Sequence, residues 1–309
     1  MKLFSRKGDV LQSIANKDFK LEKEIQQLIE NNLGEIFNLE FVRSEMPISN
    51  FRIDTLAFDK ENNCFVIIEY KKDRNFSVID QGYTYMSLLL NNKADFVLEY
   101  NEQKSKSLKK NDVEWSQSKV IFIAPSFSEY QKHSVNFKDV PFELWEIKQY
   151  ENAVIGLMQH KNSSTESITN VTAGEKSVVK EVSKQIQVYT EAYHFSKSKK
   201  PNPEIESLYR QLKERILTLG EVEVVPKGLY ISFRKKKPFF DVVVYQKEGL
   251  YCLINLKKGQ LNDPNGITKD VSNKGHWGNG DYSVLVKSES DLDYIMFPDQ
   301  AILQRTNLR

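Results

Sequence analysis

Asp54, Glu69 and Lys71 are the residues of this chain best suited to do chemistry. They lie in FRIDTLAFD (51–59) and CFVIIEYKK (64–72), two strand-like segments joined by the polar turn Lys60-Glu61-Asn62-Asn63, and together these read as a β-hairpin. With the turn centred on Glu61-Asn62, Asp54 faces Glu69; moved by one residue, the two become diagonal neighbours. In either register the carboxylates share a face within roughly 5–8 Å. Alternation along the strands puts Leu56, Phe58, Phe65 and Ile67 on that face too. Like charges at the edge of an apolar surface destabilise the fold unless a cation compensates them. Lys71, on the same face, supplies one fixed positive charge, and a divalent metal ion would supply the rest. The hairpin is therefore expected to be a metal site.

Several elements must hold that hairpin in place. Residues 19–33, FKLEKEIQQLIENNL, have helical period, with Leu21, Ile25, Leu28, Ile29, Asn32 and Leu33 on one side. Glu22 flanks the stripe, and Glu24 points away from it. SVIDQGYTYMSLLLNN (77–92) predicts a helix on which Gln81 and Tyr85 share a face. ADFVLEY (94–100) and KVIFIAPS (119–126) read as buried strands separated by a Lys-rich loop (103–112). A short helix at SEYQKHSV (128–135) and a strand at PFELWEIKQY (141–150) follow. This order predicts an α/β fold with a mixed central sheet flanked by helices.

The ordered set R-I-D (52–54), E-Y-K (69–71) and Q-G-Y-T-Y (81–85) resembles the PD-(D/E)XK nuclease superfamily over about residues 15–150, with Ile53 in place of the motif's proline. Within it, the chain is most similar to the archaeal and bacterial single-strand and mismatch endonucleases that carry an R-I-D strand and Q-x-x-x-Y on the next helix. The resemblance implies a restriction-endonuclease-like fold and a metal-dependent endodeoxyribonuclease, with DNA as partner and a bacterial defence or repair setting. It implies Mg²⁺ as cofactor, with Mn²⁺ able to substitute. Magnesium prefers oxygen ligands and keeps several waters, and so suits phosphodiester hydrolysis. Asp54, Glu69 and the carbonyl of Tyr70 would then be the metal ligands, and Lys71 would orient the attacking water. Glu22 would bind a second metal or its water shell, and Gln81 and Tyr85 would contact the phosphate or the water network. Lys72, Arg74 and the 103–112 lysines would follow the DNA backbone. The alternative is a non-catalytic nucleic-acid-binding or assembly protein that keeps the fold. Arg52 is expected to look away from Asp54 and to form a salt bridge.

At 309 residues the chain is long enough for two domains. The first is expected at 1–160. Residues 161–184, rich in Ser, Thr, Lys and Glu and free of aromatics, read as a linker with a helical tail. The second, 185–309, is expected to be an α+β domain. It has a helix at 205–220, strands at 228–235, 239–246, 249–258 and 283–287, and a last helix near 289–304. It resembles a bacterial domain of unassigned function found attached to nuclease-like proteins. FFDVVVYQKEGLYCLINLKKG (239–259) echoes the first hairpin, with Asp241 matching Asp54 and Asn255 matching Glu69. Either this half is a degenerate nuclease-like fold or two ordinary hairpins look alike, since an amide is a poor ligand for a hard cation.

Residues 1–195 hold 25 Lys/Arg against 28 Asp/Glu, and 196–309 hold 19 against 14, so the second half is the basic one. Its run Arg234-Lys235-Lys236-Lys237 precedes Pro238 between two strands and predicts an exposed nucleic-acid-binding turn. The same half leaves room for a homodimer contact or a protein partner. No apolar run reaches the ~18 residues of a membrane span, and MKLFSRKGDVLQSI has no signal-peptide core, so a cytoplasmic protein is expected. Cys64 and Cys252 make no disulfide framework, and the four scattered histidines form no zinc motif. No G-x-S-x-G or Walker loop occurs, which argues against an acyl hydrolase or an ATPase. GHWGNG (275–280) reads as a tight loop, with His276 and Trp277 either packed or presented to a base.

Overall fold

The computed structural model describes residues 2–72, 76–170, 178–197, 200–235, 237–261, 263, 266–274 and 278–296. The chain divides into two units, Met1–Val188 and Tyr189–Arg309. In the first, a hairpin of β1 (Leu3–Lys7) and β2 (Val10–Ile14) precedes the short β3 (Asn16–Lys17). Helices α1 (Glu22–Glu30) and α2 (Leu33–Phe37) lead to β4 (Glu40–Ile48), β5 (Phe51–Asp59) and β6 (Cys64–Tyr70). Then come α3 (Val78–Asn91), α4 (Lys93–Lys104), β7 (Lys119–Ala124), α5 (Glu129–Ser134), β8 (Phe142–Tyr150), β9 (Ile155–His160) and α6 (Val178–Gln185).

The sheet runs β3-β8-β7-β6-β5-β4, with β9 also paired to β8. β4, β5 and β6 are antiparallel, and β6, β7 and β8 are parallel. This is the mixed central sheet expected from the order of elements. Alternation gives the sheet two apolar faces. Leu56, Phe58, Phe65 and Ile67 pack with α3 and α4, whereas Ala57, Val66, Ile68 and Tyr70 pack with Ile25 and Ile29 of α1. β6 is buried along its whole length, as a strand covered on both faces must be.

Three expectations fail here. ADFVLEY is the heart of helix α4, not a strand. Phe96 and Tyr100, one turn apart, stack their rings near Phe65 and Phe58. A short apolar run does not distinguish the two states by periodicity. The presumed linker does more than connect: its expected helical tail is α6, which packs on α3, and Ile168 and Val182 join the first core with Ile186 just beyond. The compact unit thus runs on to residue 188 rather than 160. Leu21, placed on the buried stripe, is instead the exposed N-cap residue of α1.

The second unit contains α7 (Glu191–Ser196), α8 (Pro203–Leu217), β10 (Glu223–Pro226), β11 (Ile231–Arg234), β12 (Pro238–Tyr245), β13 (Gly249–Ile254), β14 (Lys269–Asp270), β15 (Tyr282–Val286) and α9 (Glu289–Met296). Its sheet order is β10-β11-β12-β13-β15-β14, antiparallel throughout, so the α+β expectation holds. Among the described residues of this unit every strand pair is antiparallel, unlike β6-β7-β8 of the first. Asp241 pairs with Leu253, two residues out of the register that would set it against Asn255.

Gly82 shows how tightly α3 lies on the sheet. A Cβ built there would sit 2.6 Å from the Phe142 ring. Gly→Ala inside a helix normally gains up to about 1 kcal/mol, but overpacking costs about 1–3 kcal/mol. Gly82→Ala should therefore be a net destabilisation, read as a lower urea midpoint at unchanged slope; an equal or higher midpoint would mean that the ring moves aside freely.

Candidate active site

Asp59 fixes the hairpin turn: its Oδ1 accepts from the N–H groups of Glu61 (2.9 Å) and Asn62 (3.0 Å). From Asp59↔Cys64 the ladder runs to Thr55↔Ile68, and one further step sets Asp54 across from Glu69. Of the two registers the sequence left open, this is the one with the turn centred on Glu61-Asn62. Ile53, in the position of the motif's proline, pairs with Met46 of β4 and is fully buried.

The two carboxylates have different partners. Asp54 Oδ2 accepts from the Tyr70 N–H at 3.1 Å. Glu69, only 2% exposed, takes two donors on one oxygen: Lys71 Nζ and Gln81 Nε2 each lie 2.6 Å from Oε1. Its other oxygen, Oε2, is buried with no partner. A buried acceptor left unsatisfied costs about 1–3 kcal/mol, and more when it is charged. Burial, and next the Glu69 charge, push the Asp54 carboxyl from its ordinary 3.8 up to about 7, against the pull of the Tyr70 N–H and Lys71. Burial alone would lower the Lys71 ammonium, but Glu69 more than offsets this and raises it.

Helices on both faces of the sheet support this pair. On α3, Gln81 Nε2 also lies 3.1 Å from the Tyr85 hydroxyl, which donates to the Arg52 carbonyl at 3.3 Å. Gln81 and Tyr85 thus form one chain of contacts running from Glu69 to β5. On α1, Glu22 Oε1 accepts from the Lys72 N–H at 3.0 Å, next to the site. Glu24 instead accepts from the Lys20 N–H, as its outward placement implied. The Lys72 ammonium donates to the Lys20 carbonyl at 2.8 Å, and Arg74 lies outside the described residues.

Sequence reasoning missed the residues behind the site. Gln26, 4% exposed, donates through Nε2 to the Asp54 carbonyl at 2.9 Å, and the same Nε2 lies 3.0 Å from both Ser44 Oγ and Glu30 Oε1. Thr55 donates to Glu30 Oε1 at 2.6 Å, and its Oγ1 lies 3.2 Å from the Tyr70 hydroxyl. The available signal was Gln26 itself, a polar residue one turn after Glu22 and beside the apolar Ile25. Glu45 was missed as well. It pairs with Lys23 and with Arg52, so the salt bridge expected of Arg52 is present.

In the second unit, Lys235 Nζ donates to the Leu219 carbonyl at 2.8 Å, and its N–H donates to the Lys237 carbonyl, closing the turn before Pro238. Arg234 ends β11 half-buried, and Lys236 lies outside the described residues, as do His276 and Trp277. Asp241 is fully buried. Its oxygens accept from Ser232 Oγ at 2.6 Å and from the Asn279 N–H at 2.7 Å.

Two facing carboxylates, one with an unpartnered buried oxygen, fit a hard divalent cation. Asp54 and Glu69 would hold it with the Tyr70 carbonyl. Among the described residues, no group of three or more His, Cys, Asp or Glu side chains converges on one point.

The raised Asp54 pKa carries a sign. The folded state holds the Asp54 proton more tightly than the unfolded chain, so this stability is fully present below about 3.8 and is lost as pH rises through about 7. In EDTA, the wild-type urea midpoint should fall between pH 5 and pH 8 relative to that of Asp54→Asn. Parallel pH profiles for the two proteins would refute the shift.

A family model described as a domain of unknown function (DUF5655) matches residues 191–297. Among solved structures, the chain is similar to a repair endonuclease from Pyrococcus abyssi, at 22% identity and a TM-score of 0.23, over 39% of this chain and 45% of that one. It is similar to the protein of an EndoMS–dsDNA2 complex at 18% identity and a TM-score of 0.26, over 44% of this chain and 60% of that one. Pyrococcus furiosus SfsA in complex with Ca²⁺ gives 13% identity and a TM-score of 0.23, over 44% and 60%. The matches thus span 45% to 60% of those solved chains. No helix among the described residues is long and apolar enough to cross a membrane. With an uncharacterized protein of Haemophilus influenzae, the chain is 45% identical over 297 residues, 96% of this chain and 97% of that protein. The chain belongs to the same family as this Haemophilus influenzae protein.

Proposed function

We propose that the first unit is a Mg²⁺-dependent endodeoxyribonuclease, with Mn²⁺ able to substitute, and that Asp54, Glu69 and Lys71 form its catalytic centre. One observation carries the reading: Glu69 Oε2 is buried without a partner beside an Asp54 that burial and Glu69 hold partly protonated. A site built only for stability would satisfy or remove these charges. When bound, the cation supplies a more acidic water and charge for the phosphoryl oxygens. The chain's own residues do the rest. Asp54 and Glu69 anchor one side of the centre with the Tyr70 carbonyl. Lys71 holds a positive charge at the carboxylate rim, where it can orient a water and meet a phosphate oxygen. Gln81 and Tyr85 keep Glu69 aimed, and Glu22 holds the main chain at Lys72 while offering a further acid near the centre.

A second reading, a nucleic-acid-binding protein without catalysis, is favoured by the Lys71–Glu69 ion pair at 2.6 Å, which leaves one oxygen of Glu69 already engaged. Metal titration separates the two. Asp54→Ala, Glu69→Ala and Lys71→Ala should each lower Mg²⁺-dependent cleavage of single-stranded or duplex DNA by roughly 100-fold or more. Full activity in any one of them, once purified and folded, rejects this centre. Mg²⁺ at about 100 times its Kd should add about 2.7 kcal/mol of stability and raise Tm. Asp54→Asn should erase that response.

DNA affinity from the second unit is a separate part of the proposal. Replacing Arg234, Lys235, Lys236 and Lys237 by Gln in the whole chain should weaken DNA binding and flatten its salt dependence, as lost phosphate contacts require. The metal response at Asp54 and Glu69 should be untouched. Unaltered binding would leave this basic turn a solubilising one, and the second unit a candidate for protein or self contacts.

A further inference from the structure

Glu45 has backbone φ +53° in the middle of strand β4, between Ser44, which pairs with Thr55, and Met46, which pairs with Ile53. It therefore lies across from Asp54. A left-handed residue other than glycine costs on the order of 1–3 kcal/mol and persists only where its surroundings impose it. The Glu45 side chain bridges two cations: Oε1 is 3.2 Å from Lys23 Nζ, and Oε2 is 2.7 Å from Arg52 Nε. Lys23 Nζ also donates to Gln26 Oε1 at 3.2 Å.

Stability does not account for the arrangement. The Lys23 and Arg52 side chains are 48% and 69% exposed, and exposed ion pairs contribute about 0–1 kcal/mol each. Two such pairs barely offset the backbone cost. The acid also works against its neighbour, since its charge helps to raise the Asp54 carboxyl. What the arrangement achieves is placement. An arginine fork and a lysine ammonium are held, solvent-exposed, on the rim of the carboxylate pair around one singly charged group with two oxygens. A phosphodiester has the same charge and the same two free oxygens, and Arg and Lys both bind it.

We propose that Lys23 and Arg52 bind a backbone phosphate of the DNA strand beside the Asp54–Glu69 centre, and that Glu45 occupies the place of that phosphate in the free protein. The inference rests on the nuclease reading and names the part of its surface that meets the substrate. Engaged by DNA, the two cations leave Glu45 for the phosphate. The acid then opposes binding, and its loss should strengthen it.

The test is fluorescence anisotropy with labelled single-stranded and duplex oligonucleotides, with Ca²⁺ in place of Mg²⁺, across a salt series. Lys23→Gln with Arg52→Gln should weaken binding and reduce the salt slope by about 1–2. Glu45→Gln should bind about three- to fivefold tighter at low salt, the scale of one unit charge removed at contact distance in water. Glu45→Asn, which tolerates the left-handed backbone but is too short to bridge both cations, should also bind tighter, and it guards against a folding defect in Glu45→Gln. Wild-type protein that cleaves DNA, with variants that bind as it does, overturns this inference alone. Tighter binding in neither Glu45 variant removes the stand-in role. Wild-type protein that neither binds nor cleaves DNA overturns the nuclease reading, and this inference with it.

Discussion

Two carboxylates that face each other at the apolar edge of a sheet are the constraint around which the first unit is arranged. Two unit charges about 4 Å apart near a protein surface repel by about 4 kcal/mol, a large part of a domain's 5–15 kcal/mol of stability. The fold tolerates Asp54 and Glu69 because each has compensation aimed at it. Asp54 takes the Tyr70 N–H and holds its proton until about pH 7. Glu69 takes the Lys71 ammonium and the Gln81 amide. The compensation is incomplete on one atom, Glu69 Oε2, and this residual deficit gives the site its chemical meaning.

Such a pair needs a scaffold that cannot relax away from it. The hairpin register is locked by Asp59 in the turn, and below the pair it is continued by Leu56, Phe58, Phe65 and Ile67, all buried. Helices then hold the strands from both faces. α1 reaches through Gln26 to the Asp54 carbonyl and through Glu22 to the Lys72 N–H, so one helical turn controls the main chain at both strand ends. α3 reaches Glu69 through Gln81, and it comes close enough because Gly82 leaves room for the Phe142 ring. Polar groups that serve one carboxylate pair are thus carried by elements whose apolar faces form two separate cores.

The parts of this arrangement that were legible in the sequence are those set by local periodicity and spacing. Alternation and a polar turn indicated the hairpin and the shared face of Asp54, Glu69 and Lys71 but left two registers open; the 3.6 period indicated α3 with Gln81 and Tyr85. Tertiary burial decided the rest. Residues 94–100 are apolar enough for a strand, and only their packing on Phe58 and Phe65 makes them helix α4. The helical tail of the linker was legible and is α6, but the Ser, Thr and Lys content around Val182 hid that this helix packs into the core. Glu45 was unreadable for another reason. Its left-handed backbone follows from the pairing of β4 with β5, and nothing in EFVRSEMPI signals it.

The second hairpin shows why matching residue types are not enough. FFDVVVY and LYCLIN carry an acid and an amide at positions that parallel Asp54 and Glu69 in the text of the sequence. The strands pair so that the two are diagonal neighbours rather than directly opposite. Asp241 faces Leu253 and is buried, and its oxygens accept from Ser232 and Asn279. A buried carboxylate with donors on both oxygens needs no cation and stabilises its surroundings through charge-assisted hydrogen bonds. Glu69, by contrast, has donors on one oxygen only. The chemical difference between the two hairpins is therefore set by the amide in place of the second acid and by where the donors fall. Part of the first site's register information is already in its turn, where Asp59 accepts from Glu61 and Asn62 and so fixes which residues face each other at the far end of the hairpin.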